Sequence, residues 1–336
     1  MRIVGNQQEI KNLHKRLVRS LDKFKSEGIN ILTGHKGESL RVDAHYSEEL
    51  NIWWSFGEAE GKSGRRYWNA FGLGRPTKNR LVNIICEINY PFNGINKRVA
   101  AAWLEDEGEH VLIHSGKIGG GRAGIGKRPF QQRYAGSFAD LTLPELTGKY
   151  TEIGNLDNPR LPYQIKFFVE EVARIKAEIV SSNQSSGSSS DPRDEIKTTF
   201  TEEFSGTKEY ENSGKVVSNC DHGLVVSALK SIVETRGYQV ANDSPRDLYI
   251  YNNRPQITHV FEVKTAISSQ SIFTAVGQLL VNNARISPKP KLIYVVPKEL
   301  NNNLRKTLAK LDIIPLIYDW SNSKATFKNI EGVLKQ

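Results

Sequence analysis

The chain has 336 residues, a formal net charge of +9 and a pI near 9.3. That length allows two domains with separate cores, and the charge points to a polyanionic partner, nucleic acid ahead of a membrane surface. Two cysteines, Cys86 and Cys220, exclude a disulfide scaffold and a Cys-based zinc site and suit a reducing, cytoplasmic setting.

The N-terminal stretch "MRIVGNQQEIKNLHKRL" lacks the apolar run of a signal peptide, and no segment approaches the ~20 apolar residues of a membrane span. A basic amphipathic helix is expected from Gln7 to Ser26, carrying Leu13, Leu17, Val18 and Leu21. Strand character follows in "INILTG", "YWNAFGL", "RLVNIICEINYP" and "HVLIHSG". Between Lys62 and Arg80 lie Lys62, Arg65, Arg66, Arg75, Lys78 and Arg80 with no acid, interleaved with Tyr67, Trp68 and Phe71. Cations attract phosphates and aromatic faces stack on bases, so this mixture suits nucleic acid. A solvated basic face with its aromatics in the core is the competing reading. Trp53, Trp54 and Trp68, with Trp103 beyond them, could line a pocket for a base held outside the stack, a modified base included, or could be core residues.

"HVLIHSG" leads into "GGGRAGIGKR". Gly121 to Lys127 match the G-x-x-x-x-G-K spacing of a phosphate-binding loop, yet Arg128 stands where a Ser or Thr should join the metal shell, and Pro129 follows. No nucleotide cofactor is expected. Lys117, Arg122, Lys127, Arg128 and Arg133 accompany the glycines without an acid from Ser115 to Ala139. The stretch therefore reads either as a DNA-contacting loop or as a structural glycine turn. A helix over "PYQIKFFVEEVARIKAEIV" closes this half, with Ile165, Phe168, Val169, Val172 and Ile175 at helical spacing. Residues 1–180 thus form an α+β domain of undetermined topology, assigned to DNA recognition, and the Ser-rich run at 181–195 reads as a tether.

From 196 to 336 the order is plainer. A helix is expected over "DHGLVVSALKSIVETRG", with Asp221 as its N-cap and Gly237 ending it. The strands "RDLYIYN" and "ITHVFEVKTA" come next, then a helix in "SQSIFTAVGQLLVNNARI" with Ile272, Val276 and Leu279 on one side. The buried-type strand "KLIYVVP", a helix near Lys298 to Leu311 and the strand "IIPLIYDW" complete the domain. This is an α/β pattern, helices against a small mixed sheet. Alternation along a strand puts Glu262 and Lys264 on one face, and folding the hairpin back brings Asp247 beside Glu262. Two carboxylates beside one ammonium suit metal-assisted phosphodiester hydrolysis: Mg²⁺ takes one or two carboxylates, and a cation can orient water and offset transition-state charge.

These residues resemble the core of the PD-(D/E)XK nuclease superfamily, the restriction-endonuclease-like fold. Glu262, Val263 and Lys264 meet its E-x-K element, fourteen residues separate Asp247 from Glu262, and the upstream P-D is Pro245-Arg246-Asp247. The likeness spans about residues 205–320. It implies metal binding by Asp247, Glu262 and the Val263 carbonyl, with Lys264 catalytic. Gln278 resembles a glutamine that several branches place near the site. His222 could also face it, with helix capping as its simpler role. The expectation is a Mg²⁺-dependent DNA endonuclease of restriction or defence type, with Mn²⁺ as a substitute ion, acting on double-stranded DNA as a homodimer. The alternatives are a repair, recombination or transposon nuclease, and a non-catalytic DNA-binding protein that keeps the fold.

Overall fold

Asn6 starts the first helix. Its side-chain oxygen accepts from the Glu9 N–H at 3.1 Å, satisfying one of the donors that a helix start leaves open. The helix buries Ile10, Leu13, Leu17 and Leu21 in one stripe and leaves Lys11, Lys15, Arg16 and Arg19 exposed. It stops at Asp22, one turn short of the expected Ser26, because the chain enters a strand at Glu27.

The computed structural model describes residues 1–35, 38–62, 64–118, 125–134, 136–184, 221–243, 245–254 and 256–335. Two compact units divide the chain, one built almost wholly from residues 1–184 and the other from residue 221 onward. Residues 1–184 carry β1 (Arg2–Ile3), α1 (Gln7–Asp22), β2 (Glu27–His35), β3 (Glu38–Ser47), β4 (Ile52–Ala59), β5 (Arg66–Leu73), β6 (Leu81–Val82), β7 (Cys86–Glu87), β8 (Tyr90–Pro91), β9 (Ala101–Asp106), β10 (Glu109–His114), α2 (Lys127–Arg133), β11 (Phe138–Thr142), β12 (Thr147–Asn155) and α3 (Leu161–Gln184). One sheet runs β6-β2-β3-β4-β5-β7 with β8 also on β5, and the other runs β1-β9-β10-β12-β11. Apart from the parallel pair of β2 and β6, the pairings are antiparallel.

Helix α3 holds this unit together. It touches β5, β7, β12 and α1, and Ile165, Phe168, Val169, Val172 and Ile175 are fully buried along it. Each such side chain contributes about 1.5–3 kcal/mol of burial. Residues 181–184, expected in the tether, continue α3; the remainder of that run lies outside the described residues.

The second unit contains α4 (His222–Thr235), β13 (Gln239–Asp243), β14 (Arg246–Tyr251), β15 (Ile257–Val263), α5 (Ser269–Val281), β16 (Lys291–Val296), α6 (Asn302–Lys310), β17 (Ile313–Ser321), β18 (Lys324–Phe327) and α7 (Ile330–Lys335). Its sheet keeps the order β13-β14-β15-β16-β17-β18. β15, β16 and β17 are parallel, with α5 and α6 as their crossovers, and the flanking pairs are antiparallel. Both faces are covered. Leu248, Phe261, Val263, Ile293 and Val295 pack with Val225, Leu229 and Val233 of α4, whereas Tyr249, Val260, Leu292 and Tyr294 pack with Ala275 and Leu279 of α5 and Leu308 of α6. Burial on both sides explains the continuous apolar run of β16.

Asp221 takes the N-cap position of α4 but makes no side-chain cap hydrogen bond, unlike the capping role expected of it. Gly237 ends that helix region at φ +82°, a left-handed conformation that glycine adopts without Cβ strain.

Candidate active site

In the second unit, β14 and β15 pair with Leu248 opposite Phe261, so the next pair toward the start of β14 sets Asp247 against Glu262 on one face. Asp247 Oδ2 accepts the Val263 N–H at 2.8 Å. The carboxylate thus supplies a ladder bond that a backbone carbonyl would otherwise make. Across the parallel pairing, Glu262 meets Tyr294 and Val263 meets Val295, and the Lys264 N–H donates to the Val295 carbonyl at 2.9 Å.

Three charged side chains are buried at this end of the sheet: Asp247 is 0%, Glu262 2% and Lys264 7% exposed. Burial of an isolated charge is prohibitive, so each needs a partner. Lys264 Nζ donates to Glu262 Oε1 at 2.5 Å and to Gln278 Oε1 at 2.9 Å. Gln278 projects from α5, whose start is set by a capping box between Ser268 and Ser271. At the other end of that helix Asn282 Nδ2 donates to the Pro245 carbonyl at 3.0 Å, which ties α5 to the turn just before Asp247. His222, the first residue of α4, has Nε2 3.6 Å from Asp247 Oδ1.

The Lys264 ammonium pairs with Glu262, while Asp247, on the same face of the neighbouring strand, lies beside His222. Carboxylate and carbonyl oxygens are the hard donors that Mg²⁺ prefers, so Asp247, Glu262 and the Val263 carbonyl form a donor set of the right chemistry. Tyr294 joins them as a residue that sequence reasoning missed. Burial and the neighbouring Glu262 charge push its hydroxyl up to about 12. Its place opposite Glu262 depends on the β15–β16 register, for which "KLIYVVP" alone carries no signal.

The residues expected to touch DNA divide by partner. Arg65 is ion-paired with Glu58 at 2.6 Å, and its guanidinium lies 4.2 Å from the Phe92 ring centroid. Both side chains of that pair are about half exposed, so the pairing is weak and leaves the expected phosphate contact untested. Arg75 is likewise paired with Glu27. Arg66 and Lys117 border a cleft of the first unit. Lys127, Arg128 and Arg133 lie on α2, with Pro129 in its first turn where no N–H is needed, and Lys127 Nζ is 5.4 Å from the Tyr150 ring centroid. Arg122, with most of the glycine run, lies outside the described residues.

The tryptophan pocket needs correction as well. Trp53 and Trp54 are buried in the core, and Trp68 is half-buried with its Nε1–H on Glu87 Oε1 at 3.2 Å. Adjacent on β4, Trp53 and Trp54 point to opposite faces, and both faces are covered. A Cβ on Gly72 would stand 2.2 Å from Trp53 Nε1, so the indole fills the space above that glycine and leaves no slot for a base.

Elsewhere, among the described residues, ligand atoms of Glu9, Glu105 and His110 lie within 4.8 Å of one another. Arg2 is ion-paired with both glutamates, so a guanidinium already supplies positive charge there. No described helix is long and apolar enough to cross a membrane. No protein-family profile, curated protein or solved structure matches the chain.

Proposed function

We propose that the second unit is a metal-dependent DNA endonuclease of the PD-(D/E)XK, restriction-endonuclease-like type, with the first unit recognising the DNA in a restriction or defence role. The observation that carries this reading is the buried Asp247, Glu262 and Lys264 set, with half-buried Gln278 on the ammonium, at one end of a mixed sheet flanked by helices. A structural ion pair rarely needs a second carboxylate and a glutamine gathered at the same buried point, and active sites are where such costly groupings concentrate.

Asp247, Glu262 and the Val263 carbonyl would hold Mg²⁺, or Mn²⁺ in its place. When bound, the ion lowers the pKa of a coordinated water and neutralises charge on phosphate oxygens. The chain's own groups divide the remaining work. Lys264 presents a fixed positive charge toward the phosphate, where electrostatic stabilisation of the transition state counts most. Gln278 holds the ammonium in place from α5, acting as a positioning residue. The Asp247 bond to the Val263 N–H fixes the backbone whose carbonyl is the third donor. Cutting both strands needs two such sites, which favours a homodimer on duplex DNA.

The test is strand cleavage. Purified chain is incubated with supercoiled and linear duplex DNA, unmodified and base-modified, with Mg²⁺ or with a chelator, beside Glu262→Ala and Lys264→Ala. Products that require Mg²⁺ and fall by about a thousandfold or more in both variants support the assignment. DNA binding without any Mg²⁺-dependent product overturns it in favour of a non-catalytic DNA-binding protein.

A further inference from the structure

A cleft of about 520 Å³ opens in the first unit, within the range of about 300–1,000 Å³ that takes small organic ligands. Four cationic side chains border it, Arg66, Arg98, Lys117 and Lys176, against one lining carboxylate, Glu87. They come from four separate segments: β5, the stretch before β9, the stretch after β10, and α3.

The charge in this cleft is poorly matched. Glu87 is occupied by neutral donors, accepting from Trp68 Nε1 at 3.2 Å and from Asn89 Nδ2 at 2.5 Å. Lys117 Nζ donates to the Lys97 carbonyl at 2.7 Å, and Arg98 Nη1 donates to the Lys62 carbonyl at 3.4 Å. Backbone carbonyls orient these heads without cancelling a full charge. Among the described residues Arg66, Arg98 and Lys117 form no ion pair. Beside the cations the lining turns apolar, with Val99 and Ile118 buried and Ile85 half-buried. An inorganic anion would use the cations and waste the apolar wall, whereas a nucleoside phosphate uses both.

We propose that this cleft receives one nucleotide of a nucleic-acid strand, its base unpaired or turned out of the duplex. The flanking phosphates would lie on Arg66, Arg98 and Lys117, and the base against the apolar wall. A concave site of this kind cannot reach a base inside the stack, which is why the nucleotide must be unpaired or extruded. Cations supplied by separate segments suit successive phosphates along a strand better than a single terminal phosphate. The proposal rests on the reading that nucleic acid is the substrate, but not on the chemistry at Glu262.

The test is binding of full-length chain in EDTA, read by fluorescence anisotropy. The probes are a short single strand, a duplex with one central unpaired base and the fully paired duplex, with deoxyadenosine monophosphate as the free nucleotide. The single strand and the unpaired-base duplex are expected to bind about tenfold or more tighter than the paired duplex. Arg98→Ala and Lys117→Ala should each weaken that binding about tenfold at low salt and flatten the salt dependence by about 0.7–0.9 in log–log slope. Arg75→Ala, whose charge Glu27 already matches, should bind as wild type.

Unchanged affinity in both cleft variants overturns the cleft proposal while nucleic-acid binding stands. No binding of any strand overturns both. Saturable binding of the free mononucleotide alone overturns it in favour of a small-nucleotide site. Cleft-dependent binding by a chain that never cuts DNA supports the cleft and counts against the nuclease reading only.

Discussion

The two units handle charge in opposite ways. In the second, Asp247, Glu262 and Lys264 are buried, and the protein supplies the compensation itself through the Lys264 bonds to Glu262 and Gln278 and the Asp247 bond to Val263. In the first, Arg98 and Lys117 stand exposed at a cleft, their cationic heads donating to backbone carbonyls. Water makes uncompensated cations tolerable at a surface and intolerable in a core. A buried cluster is therefore held together by the fold and costs stability when one member is lost. An exposed set is left for a ligand to complete, and it can be altered without harming the fold.

Breaking that contrast at the buried end should have the largest effect. Lys264→Ala strands Glu262 in the core and should lower the stability of the second unit by about 3–5 kcal/mol, read from the urea midpoint. Pairing Glu262→Leu with Lys264→Met should recover most of the loss, because a volume-matched apolar pair carries no desolvation cost. Failure of the double variant to recover would mean that the ion pair itself specifies the packing.

A smaller effect is expected inside the first unit, at Glu152 of β12. Burial, with Asp106 and Asp140 nearby, raises this carboxyl from 4.5 to about 8, and its Oε2 has no hydrogen-bond partner among the described residues. The folded state holds the proton more tightly than the unfolded state. The contribution is therefore complete below about pH 4.5 and is lost as pH rises through about 8, at about 1.4 kcal/mol per unit of difference. Burial holds His14, His114 and His259 down to about 4, which adds stability as pH rises to about 6.5. Glu152 is therefore read by difference: the wild type should lose a few kcal/mol relative to Glu152→Gln across that window. An equal slope in both proteins would remove Glu152 as the source of that loss.

Gln278→Ala deletes one hydrogen bond to the ammonium and should destabilise by about 1.5–3 kcal/mol, with cleavage reduced and metal affinity kept. Smallest of all, Lys117→Ala should leave the thermal midpoint almost unmoved, within about 0.5 kcal/mol, although it changes binding. A large loss of stability at Lys117 would erase the distinction between the two kinds of charged cluster.

Much of the second unit was legible because its patterns are local. The apolar spacing of α4 and α5, the continuous run of β16 and the alternation of Glu262 and Lys264 each fit within a dozen or so residues. The short strand β13 escaped notice, since "QVAND" has too few apolar residues to show a period. In the first unit the helices α1 and α3 were readable from their stripes, whereas β3, β4, β9, β11 and β12 were not separated out. "ESLRVDAHYS" does carry a strand alternation, with Leu40, Val42, Ala44 and Tyr46 on one face and Ala44 and Tyr46 buried, so β3 was legible in the sequence and was overlooked.

The charged residues are a harder case. Arg65 and Arg66 are neighbours, yet alternation turns Arg65 to Glu58 and Arg66 to the cleft. That difference is fixed by the pairing of β4 with β5, where Glu58 faces Tyr67, and composition cannot supply it. Trp53 and Trp54 misled for a related reason: adjacent strand residues face opposite ways, and no local signal tells that both faces of their sheet are covered.

The central claim is that Glu262 holds the metal and Lys264 acts on the phosphate, and measuring both on the same samples tests it most directly. Mn²⁺ binding by electron paramagnetic resonance and strand cleavage in Mn²⁺ are followed for wild type, Glu262→Gln and Lys264→Ala. Wild type should bind the ion and cut DNA, Glu262→Gln should do neither, and Lys264→Ala should keep the ion while cleavage falls by about a thousandfold. Cleavage that survives in both variants, or Mn²⁺ binding that Glu262→Gln leaves unchanged, would contradict the assignment of this site.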